Sequence, residues 1–416
     1  MPQTIIEKII SNHSDKKSYQ GEIKIVDIDM VMATDTTAPL TIQAFKKMGG
    51  KKIWDSKKMV LVIDHASPAP NQAIAVLHDL MRDFSKEQNI KLYDVGDGIC
   101  HQLMIDNHHV RPGQIVLGAD SHTCTYGAVG AFSTGVGSTD LAGAMLTGKT
   151  WLKIPETIKI ELNGELQNHV SAKDIILHLV GQFGIHGATY KAIEFTGDAV
   201  KSMSLDSRMT LANMVIEMGA KAGLVDMAGL DLPYEYVSIE PDADAVYSEI
   251  VNVDVSKIEP RIAVPHSPDN IKPISEYEGT PIHQAFIGSC TNGRLEDLQA
   301  AAKIVKGKKI NPRVRFIIAP SSRKVYLDAL ADGTAQILAE AGATFLPSGC
   351  GPCVGTHQGI PGDGENVASS TNRNFQGRMG NPNSFVFLGS PSFVAASALT
   401  GQITNPQTIK EVAEKQ

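Results

Sequence analysis

The chain has 416 residues, 42% hydrophobic and 20% charged, with 38 basic against 45 acidic side chains and a net charge of -7. This composition excludes a disordered chain, a collagen-like repeat and a small disulfide-stapled scaffold. A fold of this length buries about three-quarters of its surface and divides into two or three domains. The acidic balance argues against non-specific nucleic-acid binding. No stretch has the length and apolarity of a membrane span, and charges interrupt the N-terminal segment where a signal peptide needs its apolar core, so the chain reads as cytoplasmic.

The first segment, residues 1–150, alternates short apolar runs with helical patterns. IKIVDIDMVMA reads as one strand ending at Thr34-Asp35, and Pro39 opens a helix. KKMVLVI is a second strand, leading to the corner Asp64-His65 and to a helix with Ile74, Leu77, Leu80, Met81 and Phe84 at helical spacing. IKLYDV leads to Gly96, Gly98 and His101, and IVLGA leads to Asp120-Ser121-His122. Such strand, corner and helix order predicts an α/β fold of mostly parallel sheets flanked by helices. The glycines between Gly127 and Gly143 match neither a GxxxxGK[ST] loop nor a GxGxxG turn after a strand, and are read as places of close backbone approach.

In the second segment, residues 151–274, ETIKIELNG suggests a hairpin strand with an Asn-Gly turn. SAKDIILHLVGQFG follows as a helix capped by Ser171, with Asp174 at its third position. GATYKAIEFTG is a strand carrying Glu194, and SRMTLANMVIEMGAKAGL is a helix whose methionines fill core. Residues 231–273 are acidic and proline-dotted, and read as crossover and linker. The third segment, residues 275–416, repeats the first one's logic: AFIG leads to Cys290, VRFIIAP to Ser321-Ser322, ATFLPSG to Cys350-Gly351-Pro352-Cys353, ENVASS to Asn372-Arg373, and SFVFLG to Ser390-Pro391 and a last helix. No sequence repeat ties it to the first.

Thus the chemically capable residues fall directly after strands, where open α/β sheets form their ligand crevice. Among five cysteines, Cys350-x-x-Cys353 with a distant Cys290 leaves three readings open. These are an iron–sulfur cluster with one iron lacking a protein thiolate, a zinc site short of its usual second pair, and inert or redox thiols. Cys100 and Cys124 are read as buried small residues, and His13, His108, His109, His169 and His178 as ordinary polar ones.

Asp64-His65, GICHQ from Gly98, GADSHT from Gly118, GSCTNGR from Gly288, CGPC from Cys350 and SSTNRNFQGR from Ser369 together span nearly the whole chain. In these motifs the sequence resembles the aconitase superfamily, and within it the large subunits of two-subunit isopropylmalate dehydratases and homoaconitases. It departs at Thr34, where many members carry histidine before the matching Asp35. The resemblance implies an aconitase-like three-domain architecture and one 4Fe-4S cluster on Cys290, Cys350 and Cys353. The implied activity is a hydro-lyase exchanging 2- and 3-isopropylmalate through 2-isopropylmaleate in leucine biosynthesis. The alternatives are homoaconitase, a dehydratase of another substituted malate such as 2,3-dimethylmalate, or an iron-responsive RNA-binding protein; net charge argues against the last. His101 is the expected acid for the departing hydroxyl, with Asp120, His122, Asp64 and His65 tuning imidazoles and Glu194 as a further pocket carboxylate. Arg373 and Arg378 are expected to clamp substrate carboxylates, with Asn292, Asn372, Gln102, Asp35 and Ser121 as supporting contacts. The family takes its carbon base, a serine, from a fourth mobile domain. With the sequence ending at Gln416, that domain is expected on a separate small subunit.

Overall fold

The computed structural model describes residues 1–410; the end of the third segment, 411–416, lies outside the described residues. Three principal sheets carry the chain. The first is all parallel, in spatial order Lys91–Tyr93, Met59–Val62, Met30–Thr34, Ile115–Gly118 and Phe132–Gly135. Its inner strands are mostly apolar because helices cover both faces; MVLV and IVLG are buried at every position, whereas the edge strand KLY exposes Lys91. The middle sheet, also parallel, runs Ala222–Val225, Ala192–Thr196, Thr157–Asn163 and Glu249–Asp254. The third has five parallel strands, in order Thr344–Phe345, Arg315–Ile318, Gln284–Ile287, Asn366–Ser369 and Phe385–Leu388, and the last is followed by the antiparallel pair Arg261–Ala263 and Ile271–Pro273.

Several expectations need correction. The run from Ile23 to Thr34 is two strands. Ile23–Asp27 leaves the sheet to pair antiparallel with Lys149–Lys153, exposing Ile23 and Ile25, while Met30–Thr34 is fully buried. Between them Asp29 binds the Ile115 N–H at 2.8 Å and His13 at 2.7 Å, which turns the chain. ELNG closes no hairpin: Thr157–Asn163 pairs parallel with both neighbours, so its connection is a helical crossover. Residues 231–273, read as linker, contribute three strands. Glu249–Asp254 is an edge strand buried only at alternate positions near its end, a weak pattern for so short a run.

The first and third sheets share one connectivity. Counting only the five parallel strands of each in chain order, the first is central, the second and third lie on one side, and the fourth and fifth lie on the other. Each sheet therefore has a switch point between its first and fourth strands, where the following loops part and open a crevice. The two carboxyl-end edges face one another: the Ile99 N–H binds the Ser321 carbonyl at 2.8 Å, and the Cys350 N–H binds the Asp64 carbonyl at 2.9 Å. Gly98, at φ +142°, permits this approach, since an added Cβ would lie 2.7 Å from Ser322 Cα. Gly127 does the same toward the middle sheet, where a Cβ would lie 1.6 Å from the Gly223 carbonyl oxygen. One apolar core, including Met32, Val62, Leu177, Phe195, Met214 and Phe286, joins all three segments. No helix among the described residues is long and apolar enough to cross a membrane.

Candidate active site

The two switch points enclose a cleft of about 290 Å³. Loops of the first sheet contribute His65, His101, Asp120, Ser121 and His122; loops of the third contribute Cys290, Cys350, Cys353, Asn372, Arg373 and Arg378.

Asp120 is the hinge of the acid–imidazole side. It meets His101 Nε2 at 2.9 Å and His65 Nε2 at 3.3 Å, and accepts the His122 N–H at 2.8 Å. Burial opposes its charge, yet hydrogen bonds from the two imidazoles hold the carboxyl well below its ordinary range. His65 Nδ1 rests on Asp64 at 2.7 Å, and Asp64's other oxygen caps the Cys100 N–H at 2.7 Å. Burial disfavours the His65 imidazolium, but Cys350, Asp64 and Asp120 outweigh it and raise its pKa well above the usual value. His101 is pinned at its other nitrogen by the Tyr126 hydroxyl, 3.1 Å away. Its side chain is 2% exposed against 12% for His65, so His65 presents more of its ring to the cleft.

On the opposite side the thiols are buried and all five cysteines are free. Burial pushes the Cys290 thiol up to about 12, with the neighbouring Cys353 and Asp120 adding to it, and burial raises Cys350 as well. N–H groups surround the sulfurs: Asn213 at 3.2 Å and Asn372 at 3.4 Å from Cys290 Sγ, and Arg378 Nη2 at 3.8 Å from Cys353 Sγ. Arg378 Nε is buried with no partner among the described residues. A donor shell around sulfur and an orphaned guanidinium nitrogen fit an anionic metal–thiolate group, which would supply the missing acceptors and let the thiols ionise. Asp64, His65 and Cys350 also offer ligand atoms within 4.8 Å of one another, the spacing of a metal site. His65 already gives both ring nitrogens to carboxylates, which leaves Cys350 as that trio's available donor.

Sequence reasoning missed the residue that joins the two sides. Glu217 ends the Met-rich helix in a 3-10 turn, buried, with Oε1 2.8 Å from His122 Nε2. It also accepts a bifurcated bond from Arg373 Nε, at 2.9 and 3.0 Å. Burial opposes the Glu217 charge, but His122 and Arg373 hold its pKa below the ordinary value. Burial and Arg373 push His122 down to about 4 despite Glu217, so its imidazole is neutral at neutral pH. The missed Asn213 lies four residues before Glu217 and binds Thr125, Cys290 and Thr291. Two polar residues at i and i+4 in a buried methionine helix were the available signal.

Glu194 does not join the cleft. It sits in mid-strand, fully buried, accepting from the Tyr247 hydroxyl at 3.0 Å and the Ile6 N–H at 3.4 Å, and burial raises its pKa to about 7. Chemically active groups here leave the carboxyl ends of strands; a mid-strand side chain points into the layer beside it. Three expected contacts stand behind the lining. Asp35 accepts the His65 and Ala66 N–H groups at 2.9 and 2.8 Å and fixes that corner. Gln102 binds Asp106 at 2.8 Å. Asn292 binds Asp297 at 2.9 Å and Lys173 at 3.1 Å. Thr34, at the departure from the motif, hydrogen-bonds the Thr36 hydroxyl at 3.0 Å, and Thr36 lines the cleft.

A model of the aconitase family (aconitate hydratase) matches residues 7–237 and 270–401. The 3-isopropylmalate dehydratase large subunit 1 of Methanopyrus kandleri is 48% identical over 415 residues, covering 98% of this chain and 99% of that one. The corresponding large subunit 1 of Thermotoga maritima is 46% identical over 417 residues, at 98% and 99% coverage. A probable methanogen homoaconitase large subunit from Methanosarcina mazei is 49% identical over 395 residues, covering 92% of this chain and 100% of that one. Matched along most of its length by the family model and almost end to end by these relatives, the chain belongs to the aconitase family.

Proposed function

We propose that this chain is the large catalytic subunit of a 3-isopropylmalate dehydratase. It would move a hydroxyl between adjacent carbons of a branched malate in leucine biosynthesis by removing and returning water. The observation that carries the reading is one cleft in which three thiols and two arginines face paired imidazoles and carboxylates, in a chain aligned over 98% of its length with a large subunit of that enzyme.

Cys290, Cys350 and Cys353 would hold a 4Fe-4S cluster, whose iron without a protein thiolate supplies a Lewis acid for the substrate hydroxyl and the adjoining carboxylate. The rest of the work falls to side chains. Arg373 spends only Nε on Glu217, which leaves both terminal nitrogens for a substrate carboxylate, and Arg378 offers a second guanidinium. Ser121, at the cleft wall, adds a hydroxyl contact. His65 is the better placed proton donor for the departing hydroxyl: it is the more exposed of the two imidazoles on Asp120, and its 3.3 Å contact there is the looser one. His101, locked between Asp120 and Tyr126, orients that carboxylate. His122 is neutral and holds Glu217 in place.

The base for the carbon-bound proton would come from a separate small subunit. Support for this partner comes from the relatives, which are themselves named large subunits and whose length this chain shares. The identity to the homoaconitase large subunit favours one second reading, a homologous tricarboxylate substrate. The test is anaerobic co-purification with the small subunit, followed by assay on isopropylmalate and on homocitrate. Faster turnover of homocitrate overturns the first reading in favour of the second, and full activity of the cluster-loaded large subunit alone removes the need for the partner.

A further inference from the structure

The first turn of helix Ala172–Phe183 carries a charged side chain that the reaction above does not use. Lys173 is completely buried. Its Nζ donates to Asn292 Oδ1 at 3.1 Å, to the Ser370 carbonyl at 2.7 Å and to the Thr371 carbonyl at 2.7 Å. An ammonium has three donors, and all three are spent on neutral acceptors. In the cluster-free chain burial lowers its pKa to about 7 against the pull of Asp297, Asp174, Cys353 and Cys290, which act only through space; an anionic group on the thiols would hold the ammonium charged. Burying a lysine without a bonded carboxylate is costly, so its place in the architecture needs a reason.

Its acceptors supply one. Asn292 lies two residues after Cys290, on the loop leaving strand Gln284–Ile287; Ser370 and Thr371 begin the loop that leaves Asn366–Ser369 and carries Asn372 and Arg373. These loops flank the third sheet's switch point. They are also tied by Ser370 Oγ to the Asn292 carbonyl at 3.1 Å, and by Asn372 Nδ2 to Thr291 Oγ1 at 3.1 Å and Cys290 Sγ at 3.4 Å. The helix bearing Lys173 belongs to the middle segment, so the ammonium enters from outside the sheet that it fastens.

We propose that Lys173 is a positioning residue of the thiol site: its ammonium clamps the Cys290 loop to the Asn372–Arg373 loop and sets a fixed positive charge behind the sulfurs. The proposal rests on Cys290, Cys350 and Cys353 being cluster ligands. A cluster on three thiolates is anionic, and a nearby fixed cation favours its retention and its more reduced state.

The experiment compares unaltered chain, Lys173→Met and Lys173→Gln, each full length, prepared anaerobically with the small subunit. Iron and sulfide content, the rate of iron loss to a chelator and the cluster's midpoint potential are measured, with thermal unfolding as the check on folding. Methionine fills the space without donors or charge, whereas glutamine keeps an amide donor and loses only the charge. The Met variant is expected to lose iron about 10- to 100-fold faster. Both variants are expected to shift to a more negative potential, because removing a positive charge disfavours reduction. Unchanged potential and iron loss in folded variants overturn the proposal alone, as does failure of both variants to fold, which would make Lys173 a folding residue. If the unaltered chain carries no iron and sulfide, the cluster reading falls first and takes the proposal with it.

Discussion

Replacing Glu217 by glutamine tests the link between the two faces of the cleft. The change is nearly isosteric, so no cavity opens; it removes one negative charge from a side chain that is 3% exposed. Two partners are affected together: Arg373 Nε at 2.9 and 3.0 Å and His122 Nε2 at 2.8 Å. Oε1 accepts from both partners, so a glutamine oxygen there keeps both contacts uncharged, while the NH₂ that replaces Oε2 confronts the Arg373 Nε–H at 3.0 Å. Removing one member of a buried ion pair costs about 3–5 kcal/mol. Arg373 keeps 20% of its side chain in solvent, which recovers part of that, so a charge-assisted hydrogen bond of about 2–3 kcal/mol is the better figure. If that energy aims the Arg373 terminal nitrogens at the substrate carboxylate, kcat/KM falls by about 30- to 150-fold. The assay is anaerobic turnover of isopropylmalate by the reconstituted complex, following the ultraviolet absorbance of the unsaturated intermediate. Cluster content and thermal midpoint are measured on the same samples. A Glu217→Gln complex with full cluster content and kcat/KM within about threefold of the unaltered protein refutes the reasoning.

Glu194→Gln is expected to leave turnover unchanged and to raise stability at pH 8. The buried carboxyl has a folded pKa of about 7 against an ordinary 4.5, so its cost appears as pH rises through that window and reaches about 3 kcal/mol above it. Denaturant unfolding at pH 5 and pH 8 checks this, and a large loss of activity would return Glu194 to the site. His122 acts in the opposite sense. Its pKa falls from about 6.5 unfolded to about 4 folded, so the unfolded chain takes up the proton first as pH drops, and about 3 kcal/mol of stability is lost between those values. In cluster-free protein His122→Asn should remove that part of the pH slope, and a slope identical to the unaltered protein's counts against the buried neutral imidazole. Cys290→Ser should abolish the cluster's broad visible absorbance, and retained full absorbance excludes Cys290 as a ligand.

Much of the architecture was legible because parallel strands covered on both faces leave nothing but apolar residues. MVLV, IVLG and FVFL announce themselves, and the first polar residue after each of the first two, Asp64 and Asp120, marks the crevice edge. Asp64-His65, Asp120 to His122, Cys290 and Arg373 were found that way. What failed was whatever that signal does not reach. Ile23–Asp27 exposes its isoleucines, and Glu249–Asp254 is an edge strand, so neither carries the buried-strand pattern. Glu194 was expected in the pocket from the family resemblance, and Glu217 was not singled out at all. The strand position of Glu194, however, commits it to the layer occupied by Tyr247 and Ile6, whereas Glu217 leaves a helix end. Lys173 was hidden for a different reason: a lysine in the first turn of an amphipathic helix reads as solvated, and only three distant acceptors reveal otherwise.

The shared connectivity of the first and third sheets explains why the site's chemistry can be divided as it is. Guanidiniums and carboxylates placed on one crevice edge would pair with one another and leave little for a dicarboxylate substrate. Here Asp64 and Asp120 are occupied by His65 and His101 on one edge, while Arg373 and Arg378 stand with the thiols on the other. The one carboxylate brought to an arginine, Glu217, comes from the middle segment and takes only Nε. That contact fixes the guanidinium plane and leaves free the terminal nitrogens proposed above to recognise substrate. The middle segment thus reaches both edges from the side: Glu217 restrains Arg373, Asn213 donates to Cys290, and Lys173 fastens the two loops beneath them. Two similar sheets provide the opposed edges, and the dissimilar third unit sets their registration. A site built this way should be sensitive to mutations in helices that never touch the substrate.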